Sequence, residues 1–445
     1  MTTRASGVDP PGFPARRIAA EILDGVLRRR RPLDEQLDDR TAHPDFAALA
    51  DRDRALVRAL VTSVLRRLGT LRHLLGRRLV SGLPADAPRV ETALLIGAAQ
   101  ILWLEVPDHA AVDLAVHLVQ TDRRSARYAG LVNAVLRGIA RDGGQELAAL
   151  DVTELDTPDW LMARWVAHYG VETARTIAVA NGREPALDLT VASGPGQWAS
   201  TLGGRILPTG SVRAQVHGPV SQLPGYADGA WWVQDAAAAL PARLLDVRPG
   251  ERVADLCAAP GGKTAQLASA GATVLAVDRS RHRLKRLAEN MERLRLAVDT
   301  KVADALALEA EPFDAVLLDA PCSATGTIRR HPDVPWTKRE ADLAKLVDLQ
   351  ARLLDKAAAL TRPGGRLVYC TCSLEPEEGE RQAESFLARN PAFAPVPVRA
   401  DELPGLEEAI TLDGDVRTLP HQGGAALGAS GLDGFFIARF SRPGP

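Results

Sequence analysis

The fold is decided by the stretch Asp255-Leu256-Cys257-Ala258-Ala259-Pro260-Gly261-Gly262-Lys263-Thr264. The apolar segment before it, at 251–254, predicts a buried strand, and residues 265–270 predict the start of a helix. A strand that turns through paired glycines into a helix is how doubly wound α/β domains hold nucleotide-like ligands. Because Gly261 and Gly262 lack a Cβ, the backbone can turn sharply there and come close to a ligand.

Two better-known glycine motifs do not fit this stretch. Gly262-Lys263-Thr264 is similar to the end of a phosphate-binding loop, but that loop needs a glycine at position 257, where this chain has Cys, so we treat the match as chance. The dinucleotide fingerprint G-x-G-x-x-G is absent as well. A glycine turn without any ligand is the remaining alternative.

Acidic residues at the ends of the following apolar segments argue for a ligand. Asp278, Asp304 and Asp319 each end such a segment. The carboxyl ends of strands in an open sheet line one crevice, and a carboxylate after the second strand can accept hydrogen bonds from ribose hydroxyls. One such acid is more often a helix cap or a surface residue, but several in this order predict a binding crevice.

Periodicity divides the chain into three predicted domains. Residues 1–145 form an all-helical domain, with apolar stripes at helical spacing. Residues 146–235 form a small connecting α+β module, with two short helices followed by a Gly- and Pro-rich β-containing part. Residues 236–445 form an α/β domain, in which 366–373 and 431–440 predict further strands and 339–360 a long helix.

Composition limits the class of protein. The 445 residues are 46% hydrophobic and 25% charged, with a net charge of −2, so no overall positive charge points to nucleic acid. With only four cysteines and no zinc-ligand spacing, we expect neither a disulfide scaffold nor a metal site. The start of the chain lacks the plan of a secretory signal, and the longest apolar stretch, 93–104, is too short to span a bilayer. We expect a cytoplasmic monomer.

Two of the cysteines lie where a reactive thiol is useful. Cys322 follows Asp-Ala-Pro at the end of the fourth predicted strand, and Cys372 follows the fifth, ahead of a predicted helix whose N-terminal dipole would favour a thiolate. Cys257 and Cys370 are expected to be inert small hydrophobes, as buried cysteines commonly are.

These motifs resemble the S-adenosylmethionine-dependent RNA 5-methylcytosine methyltransferases. The resemblance rests on 255–264, on Asp319-Ala320-Pro321-Cys322-Ser323-Ala324-Thr325-Gly326 and on Thr371-Cys372-Ser373. Segments 93–104, 106–115 and 130–137 are similar to NusB-like RNA-binding helical domains. The combination implies the bacterial branch of the family that acts on 16S rRNA, a Rossmann-like catalytic domain, and RNA binding by the two domains that precede it.

The resemblance also implies roles for particular residues. Cys372 is implied as the nucleophile that attacks carbon 6 of cytosine, Cys322 as the residue that assists release, and Asp319 as the partner of the cytosine ring. The residues implied to bind S-adenosylmethionine are Cys257, Ala258, Ala259, Pro260, Gly261, Gly262, Lys263, Asp278 at the ribose, Arg283, Asp304 at the adenine and Asp319.

RNA contacts are expected beside the active loop. Arg329, Arg330 and His331 are candidates, and the run 28–31 is a candidate phosphate-binding patch or a solvated face. Adjacent Trp231 and Trp232 could stack on bases, although burial of at least one is the simpler expectation.

Two alternatives remain open, and one feature departs from the family. The substrate could be tRNA or another RNA, or the chain could be an RNA-binding antitermination-like factor with an inactive methyltransferase domain. Relatives usually have Arg-Val-Asn where this chain has Leu189-Thr190-Val191-Ala192, which puts any RNA contact there in doubt.

Overall fold

The computed structural model describes residues 10–37, 44–216 and 218–444. The helices within these ranges are α1 (Phe13–Arg29), α2 (Leu33–Leu37), α3 (Pro44–Ala47), α4 (Asp51–Arg66), α5 (Leu68–Gly76), α6 (Pro88–Trp103), α7 (Asp108–Gln120), α8 (Ala129–Ala148), α9 (Val152–Leu155), α10 (Asp159–Tyr169), α11 (Val171–Asn181), α12 (Pro195–Thr201), α13 (Leu240–Leu245), α14 (Gly262–Ser269), α15 (Arg281–Leu294), α16 (Val334–Thr337), α17 (Leu343–Leu360), α18 (Glu380–Arg389) and α19 (Gly424–Leu427).

The strands form two separate sheets. They are β1 (Leu187–Val191), β2 (Arg205–Ile206), β3 (Val212–Ala214), β4 (Trp231–Val233), β5 (Arg252–Leu256), β6 (Thr273–Asp278), β7 (Asp299–Val302), β8 (Phe313–Asp319), β9 (Thr361–Thr371), β10 (Ala394–Pro395), β11 (Val416–Thr418) and β12 (Phe435–Ser441).

The chain folds into two compact units. The first comprises Met1–Ala163 together with His331–Lys338, and the second comprises Arg164–Arg330 together with Arg339–Pro445. In the first unit, α1 to α8 confirm the prediction of an all-helical domain. The predicted apolar stripe of α1 is buried, with Ile18, Leu23 and Val26 fully inside the core that α4, α6, α7 and α8 complete.

The helical unit includes a short segment from far along the chain. The backbone N–H of Leu33 donates to the carboxylate of Asp333 at 3.1 Å, and the indole N–H of Trp336 donates to the carbonyl of Leu65 at 2.8 Å. The Trp336 ring packs against the same hydrophobic core. Residues 331–338 are therefore part of the helical unit, although the sequence predicts them to lie in the α/β domain.

The second unit is built on a mostly parallel eight-stranded sheet. Its main path runs β10-β12-β9-β8-β5-β6-β7, and β11 pairs with β12. Strands β5 to β9 run parallel to one another, whereas β12 runs antiparallel to β9. The strand order reverses between β5 and β8, so the carboxyl ends of these strands open a crevice of the kind that binds ligands in α/β sheets. This confirms the predicted α/β fold.

The connecting region forms the smaller antiparallel sheet, in the order β2-β3-β1-β4. It follows the predicted short helices, which are observed as α10 and α11. Trp231 and Trp232 lie in β4 with 0% and 5% of their surface exposed, so both belong to the core and are not available to stack on bases. Thr190 and Val191, at the departure from the family pattern, pair with these two tryptophans across the sheet.

The helices of the described residues include none that combines the length and the apolar character needed to cross a bilayer.

Candidate active site

The turn after β5 has the shape expected of a ligand-binding turn. Cys257 has a φ of 61°, and Gly261, which precedes α14, has a φ of 103°. A Cβ on Gly261 would lie 2.7 Å from Leu287 Cγ, so glycine is required here for both conformation and space. No side chain caps α14, so the first N–H groups of this helix stay open to an anionic ligand group.

Asp278 stands at the predicted place beside this turn. Its carboxylate accepts hydrogen bonds from the backbone N–H of Ala259 at 3.3 Å and of Ser280 at 2.8 Å. Arg283 donates to the carbonyl of Ala259, and its guanidinium lies 3.6 Å from Asp278. Asp304 is exposed after β7 and caps the short helical turn that follows it by accepting from Leu306 N–H. Asp278 and Asp304 therefore lie at the ends of two neighbouring strands, β6 and β7.

Lys263 and Asp319 form an ion pair that the sequence did not predict. Lys263 Nζ donates to Asp319 Oδ2 at 2.8 Å and lies 5.1 Å from the centre of the Phe435 ring. Burial lowers the pKa of Lys263, but the carboxylate of Asp319 outweighs it, so the pKa lies above its usual value. The sequence feature that could have indicated a role for Lys263 is Gly262-Lys263-Thr264, which we treated as a chance match to a phosphate-binding loop.

The two candidate catalytic cysteines meet. Cys322 Sγ and Cys372 Sγ lie 3.4 Å apart, and both residues are partly exposed. Gly326 brings the two loops together, since its N–H donates to the carbonyl of Cys372 at 3.0 Å. A Cβ on Gly326 would lie 2.0 Å from the carbonyl oxygen of Gly434, so glycine is required where this loop passes Gly434.

Cys322 is held as a thiol. Its hydrogen bond with Cys372 raises its pKa well above the usual value, and burial and the charges of Cys372 and Glu378 raise it further. The helix predicted to follow Cys372 is observed as α18, which begins at Glu380.

The other two cysteines, Cys257 and Cys370, lie apart from this sulfur pair. Burial, followed by the charges of Asp319 and Asp278, raises the pKa of Cys257 to about 12. Cys370 is fully buried, and burial also raises its pKa well above the usual value. Both are therefore protonated thiols at neutral pH, in line with the expectation that they are inert.

Both arginines beside the active loop pair with carboxylates, and Arg329 is too deeply buried to be the predicted RNA contact. Arg329 is 1% exposed and donates to Asp433 at 2.9 Å and to Asp235 at 3.3 Å. Arg330 pairs with the same two carboxylates. Their guanidinium groups are therefore engaged inside the protein. His331 lies in the helical unit, with Nδ1 3.3 Å from the Asp34 carboxylate.

The arginine run at the end of α1, residues 28–31, is exposed, and one of its members forms an ion pair. Arg28 donates to the Glu91 carboxylate at 2.8 Å, while Arg29, Arg30 and Arg31 are exposed at the end of the helix. Among the described residues, no group of three or more His, Cys, Asp and Glu side chains could hold a metal ion.

Comparisons with known proteins match both parts of the chain. Residues 242–441 match the family described as 16S rRNA methyltransferase RsmB/F, and residues 14–141 match the NusB family. Ribosomal RNA small subunit methyltransferase B of Klebsiella pneumoniae is 35% identical over 419 residues, which are 88% of this chain and 95% of that protein.

Solved structures share the fold of this chain. The crystal structure of PH0851 is similar with a TM-score of 0.75 and 25% identity, covering 98% of this chain and 99% of that one. NSun6 from Pyrococcus horikoshii, solved with SFG, shares the fold with a TM-score of 0.53 at 20% identity, over 64% of this chain and 98% of that one. On the strength of the curated relative, which the match spans almost completely, this chain belongs to the RsmB/F family of 16S rRNA methyltransferases and is itself a methyltransferase.

Proposed function

We propose that this protein methylates carbon 5 of a cytosine in 16S rRNA through a covalent bond between Cys372 and the base. The observation that carries the proposal is the 3.4 Å separation of the Cys322 and Cys372 sulfurs in the crevice that also holds Asp319. One ring can be reached by both sulfurs at this separation. A single thiol would be enough to attack the base. A second thiol that faces the first also provides a group that can assist release of the methylated base from the enzyme.

The residues present fit S-adenosylmethionine. The open N–H groups at the start of α14 suit the carboxylate of its methionine part, and the Asp278 carboxylate suits ribose hydroxyls. The exposed Asp304 carboxylate can accept a hydrogen bond from the adenine amine, and Asp319 would lie near the methyl group. When bound, this cofactor supplies the electrophilic methyl group.

Attack by a thiol explains how a poor nucleophile is activated. Carbon 5 of cytosine becomes nucleophilic when the Cys372 sulfur bonds to carbon 6 and the ring electrons shift toward carbon 5. As the adduct forms, nitrogen 3 takes up a proton, and the Asp319 carboxylate would accept hydrogen bonds from that N–H and from the exocyclic amine. Lys263 Nζ, 2.8 Å away, holds this carboxylate in place from inside the protein.

The sulfur pair also explains the order of proton transfers. A hydrogen bond joins the two sulfurs, and when Cys372 attacks as a thiolate, the Cys322 thiol would be its donor and would stabilise it. Once Cys372 is bonded to carbon 6, that hydrogen bond and the charge on Cys372 are lost, and these are major causes of the raised pKa of Cys322. Cys322 can then release its own proton to solvent and take the proton from carbon 5. The electron pair of that bond restores the double bond between carbons 5 and 6, and the Cys372 sulfur leaves as a thiolate.

The base must leave its stack to reach the crevice, so a single-stranded or loop segment of RNA is the expected substrate. We propose that the regions 1–145 and 146–235 bind RNA around the target and that the protein acts in the cytoplasm. The exposed arginines after α1 support a role in phosphate binding for the first region.

The substrate is tested by methyl transfer from labelled S-adenosylmethionine to 16S rRNA and, separately, to tRNA, followed by bisulfite sequencing. The proposal predicts one protected cytosine in 16S rRNA and none in tRNA. Label in tRNA alone would overturn the choice of RNA, and label on a base other than cytosine would overturn the chemistry.

A further inference from the structure

A buried glutamate lies directly behind the two cysteine loops. Glu378 is 0% exposed and ends a short helical turn, Pro376–Glu378, between Cys372 and α18. Within the described part of the chain it joins no ion pair, so hydrogen bonds alone must compensate the cost of burying its charge.

The carboxylate of Glu378 binds the loop that carries Cys322. It accepts hydrogen bonds from the N–H of Ser323, at 3.0 and 3.2 Å to its two oxygens, and from the hydroxyl of the same serine. Gln350 Nε2 donates both to this carboxylate, at 2.9 Å, and to the carbonyl of Pro321, at 3.0 Å. The residues on either side of Cys322 are thus fixed to one carboxylate.

The same residue is joined to the loop that carries Cys372. The backbone carbonyl of Glu378 accepts hydrogen bonds from Tyr369 Oη at 2.8 Å and from Thr371 Oγ1 at 3.2 Å. Both donors lie at the end of β9, just before Cys372. The Ser323 and Ser373 hydroxyls lie 3.0 Å apart and link the two loops directly. The end of β9 is therefore joined to the backbone of Glu378, and the two serines join it to the Cys322 loop.

We propose that Glu378 is a positioning residue that holds the Cys322 and Cys372 loops so that their sulfurs face one target base. It acts through Ser323, Gln350 and the end of β9 rather than by touching substrate. The role in methylation rests on the proposed function, but the role in setting the distance between the sulfurs does not. Its carboxylate fixes the Cys322 loop, while the backbone carbonyl of the same residue holds the end of β9 before Cys372.

The direct test measures how readily the two sulfurs meet. Diamide takes up the two hydrogens of a thiol pair and leaves a disulfide, and the rate of the Cys322–Cys372 disulfide is followed by mass spectrometry on RNA-free protein. For Glu378→Gln we expect this rate to fall by about tenfold, as loss of one charge-assisted hydrogen bond predicts. Glu384→Gln, an exposed residue of α18, removes the same charge nearby and should match wild type.

A second measurement separates positioning from binding. Covalent trapping on RNA with 5-fluorocytosine should slow by about tenfold at saturating RNA, while the Kd for RNA should change by less than about twofold. Glu378→Asp should recover part of the trapping rate because it restores a carboxylate. Ser323→Ala, which removes the hydroxyl link but keeps the N–H, provides a milder variant that should slow both rates if Glu378→Gln does not fold.

The inference is overturned if folded Glu378→Gln forms the disulfide and traps RNA at wild-type rates. If Glu378→Gln does not fold, the inference is overturned if Ser323→Ala forms the disulfide and traps RNA at wild-type rates. The proposed function fails in a different way, namely if wild-type protein forms the disulfide but traps no RNA.

Discussion

Lys263 Nζ lies 2.8 Å from Asp319 Oδ2, which ties the turn after β5 to the end of β8. These two strands are neighbours at the point where the strand order reverses, so the ion pair bridges the crevice floor. Lys263 is 9% exposed, and Asp319 is more open to solvent. The lysine therefore orients a carboxylate that still faces the place where a base would sit.

Lys263→Met should lower the rate of covalent adduct formation by about 100-fold, because Asp319 loses the group that holds it. Met has a side chain of similar length but lacks the ammonium that lies over the Phe435 ring. The rate is measured in a single turnover at saturating RNA. Lys285→Met makes the same change on the exposed side of α15 and should leave the rate unchanged; equal rates for the two variants would remove Lys263 from the mechanism.

Cys322→Ala should accumulate a protein–RNA adduct on unmodified RNA, because attack by Cys372 proceeds while release is blocked. A band of reduced mobility on a denaturing gel measures the adduct. The double variant Cys322→Ala/Cys372→Ala lacks the nucleophile and should show no such band. If Cys322→Ala releases product as fast as wild type, Cys322 has no part in release.

The buried arginines should matter for stability. Burial raises the pKa of Asp235, but the charges of Arg330 and Arg329 outweigh it, so the pKa lies below its usual value. The stabilisation is full above about pH 4, the unfolded pKa of an aspartate, and is lost as the pH falls through the lower folded value. Arg330→Met should cost about 3 kcal/mol of the free energy of unfolding at neutral pH, measured with urea.

The matched control for this change is Arg248→Met, an exposed arginine of the same unit, which should change the free energy of unfolding by less than about 0.5 kcal/mol. An Arg330→Met protein that is as stable as wild type but weaker in RNA binding would restore the original prediction of an RNA contact.

Asp255 should make the protein less stable as the pH rises. Burial raises its pKa to about 7, although the Thr264 hydroxyl donates to it and opposes the shift. The folded state therefore holds a proton that the unfolded state releases near pH 4, so stability falls between about pH 4 and pH 7. The free energy of unfolding, measured with urea, should fall by roughly 4 kcal/mol less over this pH range in Asp255→Asn than in wild type. Parallel pH profiles for the two proteins would contradict it.

The sequence predicted the features that local pattern determines. The apolar segments that end in Asp278 and Asp319 became β6 and β8, and the two cysteine motifs met in one crevice. These predictions succeeded because strand periodicity and the topology of parallel sheets place strand ends together.

What the sequence could not predict are partners that lie far apart along the chain. Arg330 meets Asp235 across 95 positions, so an arginine next to the active loop gave no local sign of burial. Glu378 follows other acids in a segment that seemed to be an ordinary helix start, yet it points into the protein and binds Ser323. Trp336 belongs to the helical unit for the same reason, since its partner is Leu65.

The central claim is that Cys372 forms the bond to cytosine, and trapping on RNA with 5-fluorocytosine tests it most directly. Fluorine at carbon 5 cannot leave as a proton does, so the adduct persists and its attachment site can be mapped by peptide mass spectrometry. We predict an adduct on Cys372 in wild-type protein and none with Cys372→Ser. An adduct of undiminished yield with Cys372→Ser, or one mapped to another residue, would contradict the account.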